Sequence, residues 1–550
     1  MSISPTDPIQ HVVVLILENH SFDQMLGCLK EVYPDLDGID PAKPGQNTDA
    51  SGKAFRQTPT RERQMSLDPH HEVLHVATQL QDRNGGFIKD FENACPHETE
   101  DDKKKIEEQK PFIMGYYPLD FLPALHALGR EFTVCDRWFS SLPGPTWPNR
   151  FFALTGTSNG RVDMPGDGKH TVDLKGWFEQ TQPTIFDRLS EKAIHWKVYF
   201  HDIPQTSVLL RQRLPENAAR YFYIDRFFHD ARGLAEDFPE FCLIEPDYMG
   251  ADENDDHPPH DIMKAQKLLA DVYNAVRANE ELWRSTLLVV FYDEHGGFYD
   301  HVVPPEAVPP DDKQVDYNFK QLGIRVPAFL VSPWAKKGVC HTQFDHTSVL
   351  KYLIEKWSLG PLGQRAAAAN SIASALQFAG APRGDTVRRI ELTSEQLSPP
   401  NPDTEEQAAA LVTAHHLSLE SIARYIRIEA VEGLPRGFTW TARLIERIKM
   451  GCEWALRGIY RERLPMKVSI TQPDRISRDK VTLRENVAKF LKHQKEQAVP
   501  ALAAKIRDPK ATAAERKHAV RALASITGRR FQHESDSVDK ASLWLQSRGH

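Results

Sequence analysis

Cysteine is scarce and scattered in this chain. The six cysteines, Cys28, Cys95, Cys135, Cys242, Cys340 and Cys452, form no CxxC pair. That excludes a structural zinc site of the usual spacing, and free thiols in a reducing compartment are the reading that remains. Long apolar runs are missing as well. No stretch approaches the roughly 18 apolar residues that mark a membrane-crossing helix. The opening MSISPTDPIQ has no charged leader ahead of its first apolar run, so a signal peptide is not expected. The expected location is the cytoplasm, with export by a leaderless secretion route as the alternative. Neither sign of charge dominates: 68 basic and 76 acidic residues leave a formal charge of -8, which argues against a nucleic-acid partner.

What is present is a series of short apolar runs bounded by polar or turn residues: 11–18 (HVVVLILE), 195–200 (HWKVYF), 240–246 (EFCLIEP), 286–294 (TLLVVFYDE) and 326–333 (VPAFLVSP). Continuous runs without alternation suit strands buried on both faces. Between them lie helical patterns, notably 263–283 and 346–357. Alternation of this kind predicts an α/β fold with a mostly parallel central sheet covered by helices on both faces. Residues 34–66 and 97–110 look like surface insertions. Composition shifts near residue 384, and 392–407 reads as a linker. The expected division is a catalytic domain over 1–384 and a helical C-terminal region over 385–550.

Ligands of open α/β sheets bind beyond the carboxyl ends of the strands, so the polar residues that follow each run are the candidates. The first run ends in Glu18-Asn19-His20, the fourth in Asp293-Glu294-His295 followed by two glycines. Three carboxylates and an amide at one edge call for a cation. An all-oxygen set favours a hard one such as Mg, Ca or Mn. Thr146, bracketed by Pro145 and Pro148 ahead of FFALTG, stands at a predicted helix start, where free N–H groups favour an anion or an attacking alkoxide. Two further elements pair histidine with aspartate: DENDDHPPHDI (252–262), with His257 and His260, and FDHTSVL (344–350), with Asp345 and His346. Such histidines can protonate a leaving alkoxide. Taken singly, each element also suits an ordinary helix cap or a surface pair.

Five motifs in order, ENHSFD (18–23), PGPTWPNRFFALTGTS (143–158), EPDYMGADENDDHPPHDI (245–262), YDEHGGFYDHVVPP (292–305) and DHTSVLKYLIEKW (345–357), resemble the bacterial phosphoesterase family, which holds phospholipases C and a group of acid phosphatases. The resemblance covers about residues 9–362. It implies an alkaline-phosphatase-like core and one divalent metal ion (Mg, Ca, Mn or Zn). The implied metal ligands are Glu18, Asn19, Thr146, Asp293 and Glu294. Thr146 falls at the nucleophile position, His257 at the active-site histidine of the HPP motif, and His346 near the site. His71 and, on a looser match, His201 fall where the pocket is lined, with His260 and Asp345 as neighbours.

The resulting expectation is phospholipase C action on a phospholipid phosphodiester through a phosphothreonine, with phosphomonoester hydrolysis as the alternative. A third possibility is a leaderless phospholipase toxin whose C-terminal region is a targeting module. Basic residues in 505–530, among them Lys505, Lys510, Arg516 and Arg521, give that region a possible peripheral contact with anionic lipid. Every motif lies before residue 362, so the C-terminal region is expected to supply no catalytic group.

Overall fold

The computed structural model describes residues 7–400 apart from 96–98, 165–176, 178–179, 250–251 and 314–316. Beyond 400 it describes positions 415, 418, 419, 492, 495, 498–527 and 537–546. The described strands of the main sheet are β1 (His11–Leu17), β2 (Thr133–Cys135), β3 (Trp196–Phe200), β4 (Tyr221–Tyr223), β5 (Phe241–Glu245), β6 (Thr286–Tyr292), β7 (Ala328–Val331) and β8 (Gly338–Cys340). They form one eight-stranded sheet in the order β8-β2-β7-β6-β1-β5-β3-β4. Only β7 runs against its neighbours; the other pairings are parallel.

All five apolar runs are strands. Every residue of β1 and β6 is buried, because helices cover both faces of a mostly parallel sheet. The helices that matter for the site are α1 (Phe22–Leu26), α2 (Thr146–Thr155), α3 (Met263–Ala278) and α4 (Thr347–Trp357). Two more, α5 (Ala513–Thr527) and α6 (Ser537–Gln546), belong to the C-terminal region. Strands β2, β4 and β8 were not expected; three residues each leave no periodic signal.

The two expected surface insertions do more than cover solvent. Residues 46–48 and 54–56 form a hairpin, and Gln57 donates to Asp23 Oδ2 at 2.7 Å under the loop that follows β1. Within 97–110, the exposed helix Glu100–Ile113 buries Lys110 beside Asp49 and Glu92.

Past residue 384 the chain stays on the catalytic part. Asn274 on α3 exchanges two hydrogen bonds with Ile390, at 2.7 and 2.9 Å. Helices α5 and α6 bury Val520, Leu523, Ala541 and Leu545 against Leu502 and Ile506, with Ala219 in the same cluster. Within the C-terminal region expected to be helical, the apolar-patterned segments 409–431 and 441–460 fall, apart from positions 415, 418 and 419, outside the described residues. Among the described residues, no helix is long and apolar enough to cross a membrane.

Candidate active site

Strands β1 and β6 are adjacent and in register, Leu17 opposite Tyr292. Glu18 and Asp293 therefore step off the same sheet edge side by side. The ladder continues past the strands: Asp293 N donates to Leu17 O at 3.0 Å, and His20 N to Glu294 O at 3.1 Å. On the other flank Glu18 N donates to Asp255 O at 2.8 Å, which fastens the DENDDHPPHDI loop to the same edge. Asn19 turns sharply, with φ of 61°, a left-handed conformation that asparagine tolerates better than most residues.

One guanidinium ties the two motif pairs together. Arg150 Nη2 donates to Glu18 Oε1 at 2.8 Å and Nε to Asp293 Oδ2 at 2.9 Å, while Nη1 meets the Tyr248 hydroxyl at 3.1 Å. Arg150 lies on α2, one turn after Thr146, so the two share a helix face. Thr146 is buried at the first position of this ten-residue helix. The loop before it is shaped by Asn149. Its Nδ2 donates to the carbonyls of Leu142, Gly144 and Pro145, and its Oδ1 accepts from Leu142 N. The Leu-Pro-Gly-Pro lead-in thus has a template on the helix it introduces.

Burial pushes Glu294 up to about 8, with His71 pulling back and Asp293 adding to the rise. Burial likewise lifts Asp293 to about 6 against the pull of Arg150. Glu18 differs. Burial acts on it in the same sense, but the His415 imidazole and the Arg150 guanidinium prevail and hold it down at about 2. The edge carries more buried acid than Arg150 neutralises. Asn19 Oδ1 and Nδ2, Glu294 Oε1 and Asp255 Oδ2 are buried without a hydrogen-bond partner. Oxygen donors in this state suit a divalent cation, and Glu18, Asn19, Asp293 and Glu294 fit as its holders.

The histidines divide into those at this edge and those that brace it. His71 Nε2 is 3.8 Å from Glu294 Oε1, and its ring meets His257 edge-on at 6.3 Å. Burial lowers the His71 pKa, but Glu294 and two further acids raise it to about 9. The amino-acid sequence offered no signal for a third ring: His415, from the C-terminal region, stacks on His257 at 5.8 Å and places Nδ1 3.0 Å from Glu18 Oε2. The C-terminal region, expected to supply no catalytic group, thus reaches the edge of the site through this side chain. Gln205 is equally unforeseen, its amide nitrogen reaching Glu18 Oε1 at 2.9 Å and His415 Nε2 at 2.8 Å.

His346 stands behind the edge with both ring nitrogens engaged. Its Nε2 donates to the Asp293 carbonyl at 2.7 Å, and its Nδ1 accepts from Trp138 Nε1 at 3.2 Å. Burial lowers its pKa to about 4, so it remains a neutral brace and has no proton to give. Asp345 caps α4 and accepts from Ser141 Oγ at 3.0 Å, with Arg365 beside it. His260 is paired with Glu253 at 2.9 Å, and His201 Nδ1 meets the Glu245 carbonyl at 3.0 Å. These residues hold loops and are not gathered with Glu18 and Asp293.

Relatives of the chain carry a consistent description. It is 35% identical over 385 residues to non-specific phospholipase C3 of Arabidopsis thaliana, covering 63% of this chain and 69% of that protein. Bacterial relatives include the non-hemolytic phospholipase C of Pseudomonas aeruginosa, at 28% over 73% of this chain and 63% of that one. Another is phospholipase C A of Mycobacterium tuberculosis, at 28% over 63% and 72%. A solved member of the alkaline phosphatase superfamily from Vibrio parahaemolyticus overlaps weakly, with a TM-score of 0.27 at 10% identity over 55% of this chain and 82% of that one; the fold assignment rests on the sheet order. Residues 9–360, which contain β1 to β8 and the acidic edge, match the Phosphoesterase family, and this chain belongs to that family as a phosphoric ester hydrolase.

Proposed function

We propose that the protein is a metal-dependent phospholipase C that opens a phospholipid phosphodiester on the glycerol side, with Thr146 as nucleophile. The observation that carries this reading is the gathering of Glu18, Asn19, Asp293 and Glu294 at one sheet edge, joined through Arg150 to the helix that Thr146 begins. The plant and bacterial relatives described as phospholipases C support the choice of a diester.

Thr146 Oγ1 attacks phosphorus as the alkoxide, its proton having left to bulk water beforehand, and the bond from phosphorus to the diacylglycerol oxygen breaks. The headgroup phosphate is left esterified to the threonine. His257 Nδ1 is taken up by the carbonyl of Pro258, which leaves Nε2 as the nitrogen that gives the leaving oxygen its proton. Water then attacks the same phosphorus and His257 takes its proton; the bond from phosphorus to Thr146 Oγ1 breaks, which returns the alkoxide and frees the phosphorylated headgroup. The positive end of α2 faces the anionic group. A divalent ion held by Glu18, Asn19, Asp293 and Glu294 beside Thr146 would offset phosphoryl charge and lower the pKa of the hydroxyl. Arg150, saturated by two carboxylates and a phenol, keeps those ligands in place.

The test is an assay panel of phosphatidylcholine, phosphatidylethanolamine and sphingomyelin vesicles alongside simple phosphomonoesters, each with Mg, Ca, Mn or Zn. Diacylglycerol or ceramide release is expected. Thr146→Ala should lower it by roughly a thousandfold or more in a protein that still folds, and Thr146→Ser should retain part of it. Turnover of monoesters alone would reassign the enzyme as a phosphatase. Near-unchanged rates in Thr146→Ala would reduce Thr146 to a buried residue at the helix start.

A further inference from the structure

The site described above is built from the first 360 residues with one exception. His415 lies beyond the linker expected over 392–407, yet it is 3% exposed and surrounded by catalytic-domain groups. Its Nδ1 stands 3.0 Å from Glu18 Oε2 as an ion-pair contact, while that oxygen accepts no hydrogen bond. Its Nε2 accepts from the Gln205 amide at 2.8 Å, and the other hydrogen of that amide goes to Glu18 Oε1. Its ring stacks on His257 and meets Tyr248 edge-on at 5.5 Å. A buried side chain that accepts from Gln205, stacks on His257 and sets Nδ1 against a carboxylate is a built contact.

The local sequence explains how it gets there. His415, Ser418 and Leu419 are helical and buried, an i, i+3, i+4 face turned to the catalytic domain. Leu419 belongs to the main hydrophobic core, so the anchor that brings His415 to Glu18 is apolar burial one turn further on.

We infer that His415 is a positioning residue for the metal site, through which the C-terminal region sets the geometry of Glu18. A carboxylate with two oxygens can rotate between ligand geometries. Arg150 and Gln205 fix Oε1 by hydrogen bonds, and His415 Nδ1 stands 3.0 Å from Oε2, which has no hydrogen-bond partner. Partners that orient a ligating carboxylate govern metal affinity, commonly by 10- to 100-fold. Glu18, His257 and His415 each place a donor atom within 4.8 Å of the other two, so movement of His415 would disturb the ligand and the proton donor together. The inference rests on the proposed role of Glu18 as a metal ligand.

The test is Mn²⁺ affinity of the full chain, measured by equilibrium dialysis, with melting temperature recorded without metal. His415→Ala should weaken Mn²⁺ binding by roughly 10- to 100-fold. His415→Asn, whose amide nitrogen falls near Nδ1, should recover most of the loss. Were His415→Ala to unfold, His415→Gln replaces it; its amide reaches the Nε2 position, so it should bind weakly while melting near the unaltered protein. Binding that requires Glu18, seen as its loss in Glu18→Gln, but is unchanged in the folded His415 variants overturns this inference alone. A full chain that binds no Mn²⁺, or binds it equally in Glu18→Gln, overturns the Glu18 reading and this inference with it.

Discussion

At the scale of single residues, Arg150 carries the most. It is buried between Glu18 and Asp293. Removing it leaves two buried carboxylates without their cation, a loss of about 3–5 kcal/mol where a buried pair is broken from one side. Arg150→Lys keeps the charge but not the fork that reaches both acids and Tyr248. Arg150→Lys is expected to fold, melt lower and lose most activity, and Arg150→Met to fail to accumulate as folded protein; denaturation curves and soluble yield check both. His346 makes the opposite case. Neutral and buried, it should leave no mark on the pH dependence of kcat. His346→Gln is expected to lower kcat without moving either limb of the profile, whereas a shifted limb would mean that His346 titrates during turnover. Much of this site was legible, because Glu18, Asn19, Asp293 and Glu294 directly follow strand-like runs. Arg150 sits inside a motif but looks like any helix-borne cation, and His415 is one of two adjacent histidines in an apolar helical pattern. Neither residue type nor spacing marks them, since their carboxylate partners come from more than 100 residues away.

The elements show which sequence signals have direction and which have none. The five long runs became strands because both faces of each must be covered, and that requirement writes itself as unbroken hydrophobicity. A run does not say which way it points. β7 is reversed: after the 293–327 connection the chain re-enters beside the end of β6, with Tyr292 N donating to Pro327 O at 3.1 Å. The turn after β6 is where this geometry is least tolerant. Gly296 has φ of +62°, and a Cβ there would stand 2.0 Å from the Asn19 carbonyl oxygen. Gly296→Ala must therefore push the ends of β1 and β6 apart. We expect a cost of about 1–3 kcal/mol for the backbone strain and a much larger proportional loss of turnover than of stability. Chemical denaturation run beside a rate measurement decides it; a variant that is destabilised but fully active would show that the two edges can separate harmlessly.

For the whole molecule, a second charge network away from the acidic edge contributes to the response to pH. Arg325 binds Asp300 and Asp23, and His301 binds Asp23 and Asp37. Burial lowers the His301 pKa, but Asp23 and then Asp37 raise it to about 10. A raised histidine contributes its full stabilisation below its unfolded value, about 6.5, and loses it as pH climbs through about 10. His301→Gln should thus melt below the unaltered protein at pH 6–7, with the gap closing toward pH 10; a constant gap would remove charge from the explanation. The same architecture bears on synthesis. β1 is made well before either of its partners, since β5 and β6 both lie beyond residue 240. At roughly 5–20 residues per second, the first strand waits about ten to fifty seconds on the ribosome before anything can pair with it. A nascent chain of this protein is therefore a client for chaperones that shield lone apolar strands. Ribosome-stalled chains ending before residue 240 should be digested at β1, and those carrying β6 clear of the exit tunnel should resist.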